Sequence, residues 1–405
     1  MASTQAKRRI IRAQPSVLRW AREHAQWGVA EAADALGIPE QELATIEDGE
    51  EPLDASLFRA MQRLYRLSES ALLLPAPPAS APVMPSFRAG AAQGQRSRET
   101  AEAIRAAREL QLNLSDLAED QPELFPLPAI EPATQDDDAY AGGERARGAV
   151  GPPVATQKRW AGEEAPEGAL FGRWRREFQR RGVLVLVFSM PWEDCRGFSL
   201  TDSGLVPTIV VNSQDKPRAR LFTMAHELGH LSLGKPGICD VRPASARIPV
   251  ERWCNQFAAA FLMPEGEVRG EVHRLYPQLS SDDWTPRRVS RVASVFGVSQ
   301  FAAAIRLGEL NISDVIEREG DRFWRNDRRR VQLERPRPAD ERGHTPRPAA
   351  RLRQIGAETL DTLLTARSGG ALTSSETADL LDLRVDQLPD LARRVREERA
   401  AYSAD

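Results

Sequence analysis

Residues 220–234 read RLFTMAHELGHLSLG and contain His226-Glu227-Leu228-Gly229-His230. On an α-helix, positions four apart lie one above the other on the same face. The two imidazoles are therefore expected side by side, close enough to hold one metal ion, with the Glu227 carboxylate projecting toward the same cleft. This is the H-E-x-x-H arrangement, which supplies two zinc ligands and a carboxylate that serves as general base for a water. The chain has only 5 histidines in 405 residues, so coincidence is a poor account of a pair at this spacing around a glutamate.

Working outward, the stretch before the motif reads as a small sheet. ALFGRWRREFQRRG (169–182) is a helix stopped by Gly182, VLVLVFSM (183–190) a fully apolar strand, and GFSL (197–200) and TIVVNS (208–213) further strand material. The H-E-x-x-H helix is expected to begin near Lys216. After Gly234 a loop leads into ERWCNQFAAAFLMP (251–264), a second helix ended by Pro264. Zinc in a catalytic site takes three protein ligands and keeps one position open. Glu251 stands one helical turn before an apolar face (Phe257, Ala258, Phe261, Leu262) that would pack on the first helix, so its carboxylate can point at the metal. Asp240, Glu265, Cys239 and Cys254 compete for the role; Glu265 follows the helix-breaking Pro264 and is less well held.

Composition bounds the class. Net charge is −3 and charged residues make up 28%, so bulk charge does not mark a polyanion binder. No apolar run reaches the length of a membrane span and the N-terminus has no signal-peptide core, which predicts a cytoplasmic protein with no membrane partner. Three cysteines are too few for a disulfide framework. Cys254 is expected as a buried structural thiol. Cys239, in the loop between the two ligand helices, has the option of closing the fourth zinc position as an inhibitory thiolate. Cys195 has the same option. His273 and Tyr276 are the nearest candidates for an oxyanion donor or substrate contact.

Residues 15–75 read as helices. AADALGI followed by ELATIEDGEEP has the helix–Gly turn–helix pattern of a DNA-binding pair. The second helix offers Glu40, Gln41, Glu42, Thr45 and Glu47 and no cation. Phosphate contacts dominate DNA affinity, so protein contact or packing is the expected use. PAPPASAPVMP (75–85) is linker; 97–120 is an amphipathic helix; 121–158 reads as linker or an extended wrap. Residues 289–313 are two helices about Gly297, placed beside the site. An arginine-dense, proline-punctuated stretch follows; in it Phe323 and Trp324 interleave with Arg322, Arg325, Arg328, Arg329 and Arg330, and of these Trp324, Arg325, Arg328, Arg329 and Arg330 are the candidates for nucleic-acid contact. The tail returns to helices with a capping-box start at SSETADLLDL.

Two resemblances follow from these residues. AADALGI with ELATIEDGEEP resembles the N-terminal helix-turn-helix of XRE/Cro-type regulators. TMAHELGHLSLG followed by ERWCNQFAAAFLMP resembles the ImmA/IrrE family of bacterial zinc metallopeptidases over roughly residues 160–310. That resemblance implies Zn(2+) held by His226, His230 and Glu251, Glu227 as general base, and a protein substrate. The substrate it implies is a helix-turn-helix repressor whose cleavage switches on stress, mobile-element or defence genes. The runner-up is a DNA-binding or regulatory protein with a structural or inactive zinc site. The expected fold is α+β and predominantly helical. A helix-turn-helix bundle (1–78) and a linker with one long helix (79–158) lead to a zincin-like domain with a small sheet (159–318). An Arg/Pro-rich linker (319–353) and a helical C-terminal region (354–405) follow.

Overall fold

The computed structural model describes residues 10–25, 27–49, 51–65, 67, 69–77, 97–125, 130–163, 168–201, 205–235, 238–239, 248–320, 322–323 and 346–403. The chain divides into two units, one of residues 1–84 and 93–104 and one of 85–92 and 105–405.

In the first unit β1 (Ile10–Ile11) pairs antiparallel with β2 (Leu53–Asp54). Helices α1 (Pro15–His24), α2 (Val29–Leu36), α3 (Glu40–Asp48), α4 (Ala55–Tyr65) and α5 (Glu69–Leu72) enclose Leu18, Ala21, Ala32, Ala33, Leu43, Ile46, Phe58, Met61 and Tyr65. The turn between α2 and α3 depends on Gly37, whose φ of 71° lies where a side chain would be strained. Arg22 on α1 donates from Nε and Nη2 to the two oxygens of Glu47 at 2.8 and 2.9 Å, a buried fork that ties α1 to α3. Glu47 therefore faces inward, which corrects its place on the outward face. Glu40, Gln41 and Asp48 are the exposed polar residues of α3, and Glu42 and Thr45 are half-buried.

The boundary between the units falls within α6 (Arg98–Asp120). Next come α7 (Ala139–Val150), α8 (Val154–Gly162) and α9 (Ala169–Arg180), then β3 (Leu184–Phe188), β4 (Gly197–Leu200) and β5 (Thr208–Asn212). They are followed by α10 (Pro217–Leu233), β6 (Ile238–Cys239), α11 (Pro249–Leu262), α12 (Glu265–Leu275), α13 (Pro286–Phe296) and α14 (Gln300–Glu309). Residues 315–320 are also helical, and four helices, Arg347–Ile355, Ala357–Ser368, Ser374–Leu380 and Leu388–Ser403, follow in the C-terminal region. The sheet order is β3-β5-β4-β6. β3 and β5 are parallel, and β4 runs antiparallel to both β5 and β6. The sequence leads one to expect two or three strands; β6 is the addition, two residues long and too short to show a period.

Side chains alternate across a strand, so Val185, Ile209 and Val211 share one face. They pack there with Leu221, Met224, Ala225 and Leu228 of α10 and with Phe257, Ala258 and Phe261 of α11. Residues 139–150 and 154–162 are helices and not linker. Gly142 and Gly143 lie in the stretch read as linker or an extended wrap, yet they form the face α7 lays on α11. A Cβ at Gly143 would collide with the Phe257 carbonyl oxygen and lie 3.0 Å from the Phe261 nitrogen. Trp253 Nε1 donates to Asp137 O, Arg147 Nη1 to Phe261 O at 2.8 Å, and Gln157 Nε2 to Leu262 O and Phe296 O. These bonds seat the end of α11 in the core.

The C-terminal helices are seated on α9. Arg175 donates from Nε to Val185 O, and from Nη1 and Nη2 to the carbonyls of Arg353 and Gln354 at 2.8 and 2.6 Å. Gln179 Nε2 donates to Ile355 O at 2.6 Å. The last carbonyls of a helix lack intrahelical partners, and here α9 supplies donors to them. Burial pulls the Arg175 pKa down to about 9. The helix Arg347–Ile355 starts inside the stretch read as Arg/Pro-rich linker. Among the described residues no helix is long and apolar enough to cross a membrane.

Candidate metal centre

α10 starts at Pro217, where the missing N–H costs nothing, and stops at Gly234 with φ 58°. Between these ends it buries His226, Glu227 and His230 completely, and α11 buries Glu251 in its first turn. Gly229, inside the motif, lets the helices meet: a Cβ there would lie 3.3 Å from the Cys254 Cα.

The donor atoms converge. His226 Nε2 and His230 Nε2 are 3.3 Å apart, His226 Nε2 is 3.4 Å from Glu251 Oε2, and His230 Nε2 is 3.3 Å from Glu251 Oε1. Zinc bonds of about 2.0–2.1 Å in a tetrahedral site imply donor separations of about 3.3–3.4 Å, the spacing of the two imidazole nitrogens from each other and of each from one Glu251 oxygen in this triangle of residues. The rings are held from behind. His226 Nδ1 lies 3.0 Å from Asn255 Oδ1 and His230 Nδ1 lies 3.0 Å from the Lys235 carbonyl oxygen. Carbonyl oxygens only accept, which places the protons on Nδ1 and turns the Nε2 lone pairs to the centre. Three neutral or anionic donors facing one point, with no cation among them, suit a divalent metal.

Cys254 Sγ also lies within 4.8 Å of both imidazole donors. Burial first, then the neighbouring charges of Glu251 and Glu227, push its thiol pKa well up. Cys254 also packs against Gly229, so the described residues offer both Glu251 and Cys254 as third donors beside the two imidazoles. Glu227 Oε2 accepts from Ser199 Oγ at 3.0 Å. Gly197 lies beside the other oxygen; a Cβ there would be 3.5 Å from Glu227 Oε1 and 2.7 Å from the Val210 carbonyl oxygen.

The other candidates fall elsewhere. Glu265 is exposed at the start of α12, where it pairs with Arg269. His273 is exposed on α12, while Tyr276 packs edge-on against Trp284 under Arg288. Cys195 is buried, its Sγ 3.7 Å from Met190 Sδ. The Cys239 backbone pairs with Gly197 across β6 and β4, but its side chain, like Asp240, lies outside the described residues. So do Trp324, Arg325, Arg328, Arg329 and Arg330. Phe323 is 3% exposed in the core, which removes it as a base-stacking surface, and Arg322 pairs with Glu319. α14 buries Ala302, Ala303, Ala304, Arg306 and Leu307, the pattern of a helix packed against the core. Sequence reasoning missed Ser199 and the Lys235 carbonyl and gave Asn255 no role. Asn255 had a signal, since it stands four residues after Glu251 on the same helical face.

Comparisons with known proteins cover this region. Residues 178–308 match the family model of a peptidase group described as the IrrE N-terminal-like domain, and residues 16–73 match that of a helix-turn-helix domain. A curated relative, the radiation response metalloprotease IrrE of Deinococcus radiodurans, is 34% identical over 107 residues. The aligned part is 25% of this chain and 30% of that protein. The chain thus carries an IrrE-like domain behind an N-terminal helix-turn-helix domain.

Proposed function

We propose that the chain is a zinc-dependent endopeptidase. On this reading it acts in the cytoplasm and cleaves a helix-turn-helix repressor, which switches on stress, mobile-element or defence genes. The observation that carries it is the buried triangle of His226, His230 and Glu251, in which the two Nε2 atoms are 3.3 Å apart and each lies 3.3–3.4 Å from one Glu251 oxygen, with buried Glu227 next to His226 on α10. His226, His230 and Glu251 would hold the ion and Cys254 would stay outside, leaving a fourth position for substrate and water. Bound zinc would polarise the scissile carbonyl and make a neighbouring water more acidic. Glu227 accepts the proton of the attacking water and returns it to the departing amine. Asn255 and the Lys235 carbonyl keep both rings turned inward throughout.

Partners that orient metal-binding histidines typically contribute ten- to a hundredfold to affinity or activity. Asn255→Ala is expected to weaken zinc binding by roughly that factor, read by competition with a chromophoric chelator, while Cys254→Ala keeps the wild-type affinity. Equal loss in Cys254→Ala would make the thiol a ligand and close the site. The function itself is tested by incubating the zinc-loaded chain with helix-turn-helix repressors encoded beside its gene and mapping new termini by mass spectrometry. Cleavage that stops on chelation supports the reading. No cleavage by the loaded protein, with retained binding to a DNA duplex, would favour a DNA-binding regulator with a structural metal. The helix-turn-helix match favours that second reading. The outward face of α3, with Glu40 and Asp48 and no arginine or lysine in the helix, weighs against it.

A further inference from the structure

Glu227 is wholly buried, and a buried carboxylate needs hydrogen-bond donors to keep its charge and its orientation. The donor to Oε2 comes from β4. The pleat turns Gly197 and Ser199 toward α10 and Phe198 and Leu200 to the opposite face. Ser199 is itself wholly buried, pairs with Ile209 across the β4–β5 ladder, and places its hydroxyl oxygen 3.0 Å from Glu227 Oε2. Two residues earlier the strand has no side chain, and the place a Cβ would take lies 3.5 Å from Glu227 Oε1. One strand thus offers a hydroxyl to one oxygen and bare backbone beside the other. It is fixed along its length by β5 and at Gly197–Phe198 by β6.

We infer that Ser199 is a positioning residue that holds Glu227 in the orientation from which it takes its proton. The inference rests on the reading of Glu227 as the proton acceptor. A hydroxyl kept merely to satisfy itself needs only a nearby carbonyl; this one reaches a side chain 28 residues away on the helix that carries both histidines. By holding Oε2, it sets the direction in which the whole carboxylate plane faces the donor triangle.

The test needs no knowledge of the substrate. Acetohydroxamic acid binds zinc through its two oxygens and gives its hydroxyl proton to an adjacent base, so its affinity reports the placement of that base. The full-length, zinc-loaded chain is titrated with acetohydroxamic acid by calorimetry, with zinc content and melting temperature measured for every variant. Glu227→Gln binds the probe weakly. Ser199→Ala keeps its zinc and a cooperative melting transition, lowered by the lost buried hydrogen bond, and loses roughly ten- to a hundredfold in probe affinity, the range for partners behind a metal site. Ser199→Thr, which retains the hydroxyl, binds like the wild type. If Ser199→Ala fails to fold, Ser199→Cys, a far weaker donor, takes its place with the same expectation. Wild-type affinity in Ser199→Ala, beside a weakened Glu227→Gln, would overturn the positioning role and leave the proposed function standing. So would a Ser199→Thr as weak as Ser199→Ala, since the hydroxyl would then not be the agent. Wild-type affinity in Glu227→Gln would remove Glu227 as proton acceptor, and both readings would fall.

Discussion

Glu227→Gln is expected to fold, to keep its zinc, and to lose peptide-bond cleavage by about 10²–10⁴-fold in kcat, the range a positioned general acid–base group contributes. That is roughly 3–5 kcal/mol of barrier at 1.36 kcal/mol per tenfold. The amide is close to the carboxylate in size and still accepts from the Ser199 hydroxyl, so the seat on β4 survives. His226, His230 and Glu251 are untouched, so the ion stays. Only the basic oxygen is gone. The comparison is made on the same repressor substrate, with metal content measured on the same samples. Cleavage by the glutamine variant at near the wild-type rate would take Glu227 out of the chemistry. A variant that lost its zinc would show that Glu227 helps to build the site.

Gly143→Ala is expected to be the most damaging small substitution in the second unit. The added methyl meets the carbonyl oxygen of Phe257 and the amide nitrogen of Phe261. Both are backbone atoms inside α11 and cannot rotate away, so α7 and α11 must separate. Overpacking of this kind costs about 3 kcal/mol, offset by about 1 kcal/mol because alanine suits a helix better than glycine. The net of roughly 2 kcal/mol lowers the melting temperature by roughly 4–8 °C, at 2–4 °C per kcal/mol for a domain of this order of size. Because α11 carries Glu251, zinc affinity should fall with it. Gly142→Ala is the control. Its Cβ would meet side-chain carbons of Phe257 and Trp253 at 3.5–3.7 Å, ordinary contact distance, and should cost little. Equal melting temperatures for the two variants would mean that α7 does not seat on α11 as described.

What could be read from the residues was what depends on short-range geometry. The i, i+4 spacing put His226 and His230 on one helical face because the helix itself fixes that relation, and the alternating and continuous apolar runs located β3, β4 and β5. Glu251 depended on how two helices pack, which no local spacing fixes; in the structure its two carboxylate oxygens lie 3.3–3.4 Å from the two imidazole nitrogens. The failures share one cause: residues whose meaning depends on a distant partner. Gly142 and Gly143 look like linker glycines until α11 is laid against them. Glu47 looks like part of an acidic surface until Arg22 arrives from α1. Phe323 belongs by sequence to an arginine-rich tail and by packing to the core. Ser199 is one polar residue in an apolar strand, and nothing within ten positions hints that it faces Glu227.

The hold that Arg175 and Gln179 keep on the end of the 347–355 helix decides where the molecule can be cut. The match to the IrrE-like domain ends at 308, which invites a fragment stopping soon after it. Such a fragment would strip the carbonyls of Arg353, Gln354 and Ile355 from donors that remain inside, each unmet buried donor costing about 1–3 kcal/mol. It would also uncover the flank of α9 and β3 on which those residues lie. Expression boundaries, proteolytic nicks and fusion junctions therefore belong beyond this seat or well before α9, and a sequence-defined domain edge is not a structural one here.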